Sequence, residues 1–304
     1  MRVVFFGTPP FAAQTLKYLM ENGVDVCAIV SRPDRPKGRK QKMMPTAVKE
    51  VAAEYPKIPL YQPEKVSTDA FKELLQEHQA DLFVVVAFGE ILKQSILDIP
   101  RLACINVHAS LLPKYRGAAP IQTAIIQGEK ETGITIMHMV KKMDAGNMIA
   151  VKKTMIGPDE TFGEVQVRLC TIGCEQLIQV IRQFADEGKI IGTPQDHEAA
   201  TFAPKIESKD CKIDWSLPAL QIHNLVRGVN PYPGAYTDVN VKGEPQRIKI
   251  FRTRIVPEET QEPLVISCGE GFIQILELQP PGKKVMKAED FLRGTPQDQL
   301  EFLQ

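Results

Sequence analysis

Residues 82–88 read Leu82-Phe83-Val84-Val85-Val86-Ala87-Phe88, and residues 103–107 read Ala103-Cys104-Ile105-Asn106-Val107. Both runs are short, rich in β-branched or aromatic residues and almost free of polar alternation, the pattern of a strand covered on both faces. Two similar runs precede them, at residues 2–6 and 24–30. Between these runs the spacing turns helical: Phe11, Leu16, Leu19 and Met20 recur on one face, residues 46–55 follow the same period, and Phe71, Leu74 and Leu75 share a face within residues 67–78. Strand and helix in alternation predict a mostly parallel, doubly wound, Rossmann-like α/β sheet. Right-handed crossovers place its functional loops at the carboxyl ends of the strands.

Further along, residues 131–140 and 148–156 read as strands, and residues 161–187 as a long amphipathic helix carrying Val165, Leu169, Ile172, Leu177, Val180, Ile181 and Phe184 up to Gly188. Periodicity fades from residue 192 to 209 into Pro, Thr, Asp and Ala. The expected division is a catalytic domain over residues 1–190, a linker over 191–208 and a C-terminal domain over 209–304. That last part changes pattern, with a helix near 217–229, strands at 235–241, 247–256, 264–268 and 272–278, and a tail helix at 287–293. Short strands at close spacing predict a small antiparallel barrel of the OB-like kind.

Composition narrows the function. The chain has 304 residues, 37 Lys plus Arg against 37 Asp plus Glu, and 43% apolar residues. Zero net charge excludes a uniformly basic coat, so a polyanion partner must be met by local clusters. The six cysteines contain no C-x-x-C pair and no histidine at ligand spacing, so no metal site is expected. Cys170 and Cys174, four apart, read as small residues on one helix face. The N-terminal apolar stretch is too short for a signal peptide and no segment reaches membrane-spanning length. The expectation is a cytoplasmic protein with reduced thiols, no membrane partner and, by default, a monomer.

Three segments carry the chemistry. Gly7-Thr8-Pro9-Pro10 occupies the place of a dinucleotide-binding glycine loop, but only its first glycine is present and the prolines remove backbone donors. It reads as a strand-to-helix turn. In Asn106-Val107-His108-Ala109-Ser110-Leu111-Leu112-Pro113, alternation puts Asn106 and His108 on one side at the carboxyl end of a strand otherwise apolar. A lone histidine is usually structural, whereas this pair offers an oxyanion donor beside a general acid/base. Met143-Asp144-Ala145-Gly146 reads alone as a hairpin turn. Beside the Asn/His pair, Asp144 becomes the carboxylate that orients and charge-stabilises an imidazole.

These residues resemble the folate-dependent formyltransferase family. The resemblance rests on Gly7-Thr8-Pro9, on the Asn106-to-Pro113 run continuing into Tyr115-Arg116-Gly117-Ala118-Ala119-Pro120, and on Asp144 in Met-Asp-Ala-Gly. Pro33-Asp34-Arg35-Pro36-Lys37-Gly38-Arg39, Asp214-Trp215-Ser216 and Asn230-Pro231-Tyr232-Pro233-Gly234-Ala235 look like the branch whose acceptor is an aminoacylated tRNA. The match runs nearly end to end. One departure is Asn147, where many relatives carry Asp; it lies outside the reacting groups.

The resemblance implies transfer of a formyl group from 10-formyltetrahydrofolate to the α-amine of methionine on initiator tRNA, with no metal. Asn106 would hold the oxyanion, His108 would move the proton and Asp144 would orient His108, while Ser110, Leu111, Leu112 and Pro113 would line the folate site, with backbone groups for the pterin. The tRNA would meet residues 32–42, where six basic residues face only Asp34, a net of +5, in what reads as a loop. Arg35, Lys37, Arg39, Lys40 and Lys42 are its candidate contacts. A second cluster, net +4 over residues 242–254, puts Arg247 and Lys249 on the barrel. Trp215 is expected to pack the domain junction rather than stack a base.

Three other readings compete. A formyltransferase for a small amine, an amino sugar or purine precursor, would lack the basic loop. A nucleotide-dependent oxidoreductase would need the missing glycines, and a non-catalytic RNA-binding protein would have no use for Asn106, His108 and Asp144.

Overall fold

The structure, a computed structural model, describes residues 1–37, 41–258 and 262–302, the side chain of Lys37 excepted. Its chain forms two compact units that interleave in sequence: residues 1–117, 133–154 and 166–202 make the first, and 118–132, 155–165 and 203–304 the second. Residues 191–208, where the sequence shows no period, are thus divided between them.

The first unit contains the sheet expected from the apolar runs. Its strands are β1 (Arg2–Gly7), β2 (Asp25–Val30), β5 (Leu60–Tyr61), β6 (Leu82–Val86), β7 (Ala103–His108), β9 (Glu131–His138) and β10 (Met148–Met155), with the short β3 (Arg35–Lys37), β4 (Lys42–Met44) and β8 (Arg116–Gly117) outside it. Among the described residues the sheet has the order β10-β9-β7-β6-β1-β2-β5. The pairs β1·β2, β1·β6, β2·β5 and β6·β7 are parallel, and β9 joins β7 antiparallel. All five residues of β6 are buried, as a run without alternation requires. Phe6 packs against Phe83 and Phe88 at ring-centroid distances of 5.2 and 5.5 Å, and each such buried ring contributes about 1.5–3 kcal/mol.

Helix α1 (Pro10–Glu21) starts at the proline pair, with Pro9 extended and Pro10 in the first helical position, where its missing N–H costs nothing. The strand-to-helix turn is therefore what that segment builds. Helices α2 (Ala47–Ala52) and α3 (Asp69–Glu77) are capped by Thr46 and Thr68, whose hydroxyls accept from the N–H groups of Lys49 and Phe71. A short α4 (Gln94–Leu97) follows β6.

Residues 32–42 depart from the loop expected of them: Arg35 pairs with Met44, Pro36 with Met43 and Lys37 with Lys42 as a two-stranded ribbon. Pro36 holds Arg35 extended, and extended backbone pairs readily across a hairpin. Arg39 and Lys40 lie outside the described residues.

The second unit holds α5 (Pro120–Ile126), the first turn of α6 (Phe162–Glu187), a short β11 that begins in the first unit (Phe202–Ala203), and α7 (Ala219–Gly228), followed by strands β12 (Ala235–Val241), β13 (Glu244–Val256), β14 (Val265–Ser267), β15 (Phe272–Gln279), β16 (Met286–Lys287) and β17 (Leu300–Phe302) with α8 (Ala288–Gly294). Its sheet runs β14-β15-β13-β12-β17 with β16 on β15, a curled antiparallel half-barrel of OB-like type. Periodicity does not signal α5 or β17. Trp215, expected to pack a domain junction, is instead buried in this unit's own core, its Nε1 donating to Thr237 Oγ1 at 2.9 Å and its ring edge-on to Phe302. A ring needing both an apolar bed and an acceptor for its N–H found both within the barrel. Among the described residues no helix is long and apolar enough to cross a membrane.

A capping box starts α6: Thr161 Oγ1 accepts from the Glu164 N–H, and Glu164 accepts from the Thr161 N–H at 2.7 Å and from Arg252 at 2.7 Å. Partial burial pushes the Glu164 carboxyl up, but the Thr161 bonds and Arg252 outweigh it and bring it down from 4.5 to about 2. A depressed folded-state value stabilises the fold above the unfolded value and loses that contribution as pH falls through the folded one. With the side chain 47% exposed, solvent screening reduces the effect to about 1 kcal/mol. Glu164→Gln should therefore lower the unfolding temperature at neutral pH by about 2–4 °C. In circular-dichroism melts the gap from wild type should close as pH falls from 4.5 towards 2.

Candidate active site

Strand β7 lies between β6 and β9, so its polar side chains find open space only at its carboxyl end. Asn106 pairs with Met137 and His108 with Thr135 across β9, and the alternation puts both side chains on one side. The strand's other residues are buried apolar groups, while Asn106 is half-buried and its amide makes no hydrogen bond to another described residue. That amide is free to donate to an oxygen.

His108 is 6% exposed and held on both sides. Nε2 lies 2.9 Å from the Tyr115 carbonyl, and Nδ1 lies 3.7 Å from Asp144 Oδ2. A carbonyl can only accept, so Nε2 carries the N–H of the neutral ring and Nδ1 keeps the lone pair. A proton taken up at Nδ1 then yields an imidazolium with the Tyr115 carbonyl at one N–H and the Asp144 carboxylate beside the other.

Asp144 sits in the turn between β9 and β10 and is fixed from two directions. The Gly117 N–H donates to its Oδ2 at 2.8 Å, and the side-chain amide of Gln195 donates to its carbonyl at 2.9 Å. Its backbone is left-handed, with φ +50°, a conformation that costs a non-glycine residue about 1–2 kcal/mol. Two residues on, a side-chain carbon at Gly146 would fall 1.8 Å from the His138 carbonyl, so only glycine lets the turn approach β9 so closely.

The loop after His108 is held by its own bonds. The Ser110 hydroxyl donates to the Lys114 carbonyl at 2.7 Å, Thr135 Oγ1 donates to the Ser110 carbonyl at 2.7 Å, and the Leu112 N–H donates to Thr135 Oγ1 at 3.2 Å. Ser110 and Leu112 are buried, whereas Leu111 and Pro113 are half-exposed. The Leu112 N–H, one of the backbone groups expected for a pterin, is thus already in use.

The basic candidates are scattered in their partners. Arg35 meets Glu64 at 2.8 Å and Arg32 pairs with Glu90, so part of the local +5 is offset by acids distant in sequence. Asp34 accepts from Lys49 and Gln62, which hold its carboxyl below the usual range. Lys42 is exposed. Arg247 lies 3.3 Å from Asp238 with its guanidinium 4.1 Å above the Tyr236 ring, and Lys249 donates to the Pro233 carbonyl at 2.7 Å.

Sequence reasoning assigned no role to Arg116, Gly117, Gln195 or His197. Arg116 and Gly117 stand in the quoted Tyr-Arg-Gly run, but nothing local says that one is buried or that the other's N–H meets a carboxylate. Gln195 carries no sequence signal, since its partners lie 49 or more residues away.

Comparison with known proteins places the chain in a family. Residues 1–181 match the family described as formyl transferase, and residues 205–296 match the formyl transferase C-terminal domain. The methionyl-tRNA formyltransferase of Protochlamydia amoebophila is 54% identical, covering 100% of this chain and 98% of its own length. That of Staphylococcus epidermidis is 43% identical over 96% of each chain. Among solved structures, an N-formyltransferase from Helicobacter canadensis in complex with folinic acid and dTDP-3-aminofucose has a TM-score of 0.63 at 20% identity, covering 91% of this chain and 98% of its own, which shows the shared fold. With both halves matched and more than half of its residues identical to a full-length relative, this chain belongs to the methionyl-tRNA formyltransferases of the formyl transferase family.

Proposed function

We propose that this protein transfers the formyl group of 10-formyltetrahydrofolate to the α-amine of methionine esterified to initiator tRNA, giving N-formylmethionyl-tRNA in the cytoplasm. The observation that carries the reading is the end of β7, where an Asn106 amide with no hydrogen bond to another described residue and a His108 ring beside Asp144 share one side. The relatives' names supply the acceptor, and the Helicobacter canadensis complex with folinic acid supports a folate donor.

The folate supplies a formyl carbon already activated as an amide on N10. A free, half-exposed amide such as that of Asn106 suits a carbonyl oxygen, and its hydrogen bond strengthens as that oxygen gains charge. His108 Nδ1 takes the proton released from the attacking amine and returns it to N10 as the bond from formyl carbon to N10 breaks. Asp144 stabilises the imidazolium in between, and the Gly117 N–H keeps its carboxylate in place. Leu111 and Pro113 line the folate site, and Ser110 and Leu112 hold the loop that presents them.

The proposed division of labour gives residues 1–190 catalysis, residues 191–208 the connection and residues 209–304 the tRNA backbone. Arg35, Lys37, Arg39, Lys40, Lys42, Arg247 and Lys249 are the proposed phosphate contacts, acting through charge rather than base reading. The small-amine alternative finds its support in fold likeness at low identity, whereas the Protochlamydia amoebophila and Staphylococcus epidermidis relatives, matched over 96% or more of this chain, carry the tRNA activity in their names.

Formyl transfer from 10-formyltetrahydrofolate to charged initiator tRNA tests the chemistry. His108→Ala and Asp144→Ala should each lower kcat by about 10²–10⁴-fold while tRNA binding in a filter assay stays within about 2-fold. Near-normal turnover in both would refute the site. For the phosphate contacts, Lys42→Gln combined with Arg247→Gln should weaken tRNA use and reduce the slope of log KM against log salt by about 1–2. An unchanged slope would show these side chains to be solvated surface.

A further inference from the structure

The segment after α6 contributes one deeply buried polar side chain to the catalytic unit. Gln195 is 6% exposed, and its amide uses every hydrogen-bonding position it has. Nε2 donates to the carbonyl of Asp144 at 2.9 Å and to that of Gly146 at 2.7 Å. Oε1 accepts from Arg116 twice, from Nε at 3.2 Å and from Nη2 at 2.6 Å. A guanidinium only donates, so Arg116 fixes which end of the amide faces it and therefore turns the NH₂ towards the Asp144 turn. Arg116 is itself buried, and its Nη2 is also within 2.9 Å of His197 Nδ1.

The two attachments of Asp144 converge on this pair. Gly117, whose N–H holds the carboxylate, directly follows Arg116 in the chain, and Gln195 holds the backbone of the same turn. The turn gains from such fastening, since Asp144 occupies a left-handed conformation that non-glycine residues populate sparsely. Released, its carboxylate would lose register with His108 Nδ1, and a misplacement of about 1 Å in such a group costs on the order of 10²-fold in rate.

We infer that Gln195, oriented by Arg116, is a positioning residue for formyl transfer: it sets the Asp144 carboxylate against His108 by clamping the two carbonyls of the 144–146 turn. This rests on the catalytic reading of Asp144 and assigns the supporting role to a residue 51 positions away. Gln195 makes no hydrogen bond to Asn106, to His108 or to the Asp144 carboxylate, and acts through the two carbonyls of the turn.

Gln195→Glu separates the two ends of the amide. It keeps the shape and an acceptor for Arg116, and it removes both donors to the turn. Steady-state formyl transfer should show kcat lowered by about 10–100-fold with KM for folate and for tRNA within about 2-fold of wild type. A loss of general packing would move the KM values and the melting temperature together. The deciding arm is Asp144→Asn alone and combined with Gln195→Glu: with the carboxylate gone its placement no longer matters, so the double variant should run within about 2-fold of Asp144→Asn. Gln195→Met, of similar volume and without either hydrogen bond, repeats the comparison if the glutamate variant folds poorly. Wild-type kcat in both Gln195 variants, or losses that multiply in the double variant, would overturn the inference. Wild-type kcat in Asp144→Asn would instead overturn the catalytic reading beneath it.

Discussion

One constraint organises the catalytic unit: β7 is paired on both edges and covered on both faces, so a polar side chain on it must either be satisfied inside the sheet or emerge at its carboxyl end. Asn106 and His108 take the second course. His108 still belongs to the ladder, since it pairs with Thr135, and the Thr135 hydroxyl bonds both Ser110 and Leu112 in the loop that leaves the strand. A single buried threonine thereby ties the direction of that loop to the register of β9. The Tyr115 carbonyl that receives the His108 Nε2–H is reached only because that loop returns.

The acid partner is built on different physics. Asp144 is placed by strain and by close approach: a left-handed residue, a glycine against the His138 carbonyl, and two hydrogen bonds from elsewhere in the chain. None of these is strong singly, and together they leave the carboxylate little freedom. A catalytic carboxylate that must meet a charge only transiently gains from being fixed in advance, because no reorganisation is then needed as the charge forms.

Net charge is a similar case of local arrangement under a bland average. The chain sums to zero, and the basic stretch at residues 32–42 stands out in sequence by its +5. In the fold Glu64 and Glu90 meet Arg35 and Arg32, and Asp34 serves Lys49 and Gln62. Among the described side chains of that stretch, Lys42 is exposed and meets no acid. On the barrel, Asp238 lies beside Arg247 in the same way. Such pairs are weak enough in water for phosphate to replace the carboxylate.

By itself the sequence determined the sheet, most strand and helix positions, and the three side chains on which the catalytic proposal rests. These are properties of short range: β6 is apolar without alternation because it is covered on both faces, and Asn106 and His108 are conspicuous because they interrupt such a run. Only the tertiary structure decided which neighbours hold those groups. Gly117, Arg116 and Gln195 are brought to Asp144 across 27 to 51 residues or through one another, by contacts with no spacing rule. The same holds for α5 and β17, too short for a period to show, for the ribbon within residues 32–42, and for Trp215, which found its acceptor 22 residues away inside the barrel. Periodicity reports which face of an element is buried. It cannot report what lies against that face, because this depends on where the rest of the chain folds.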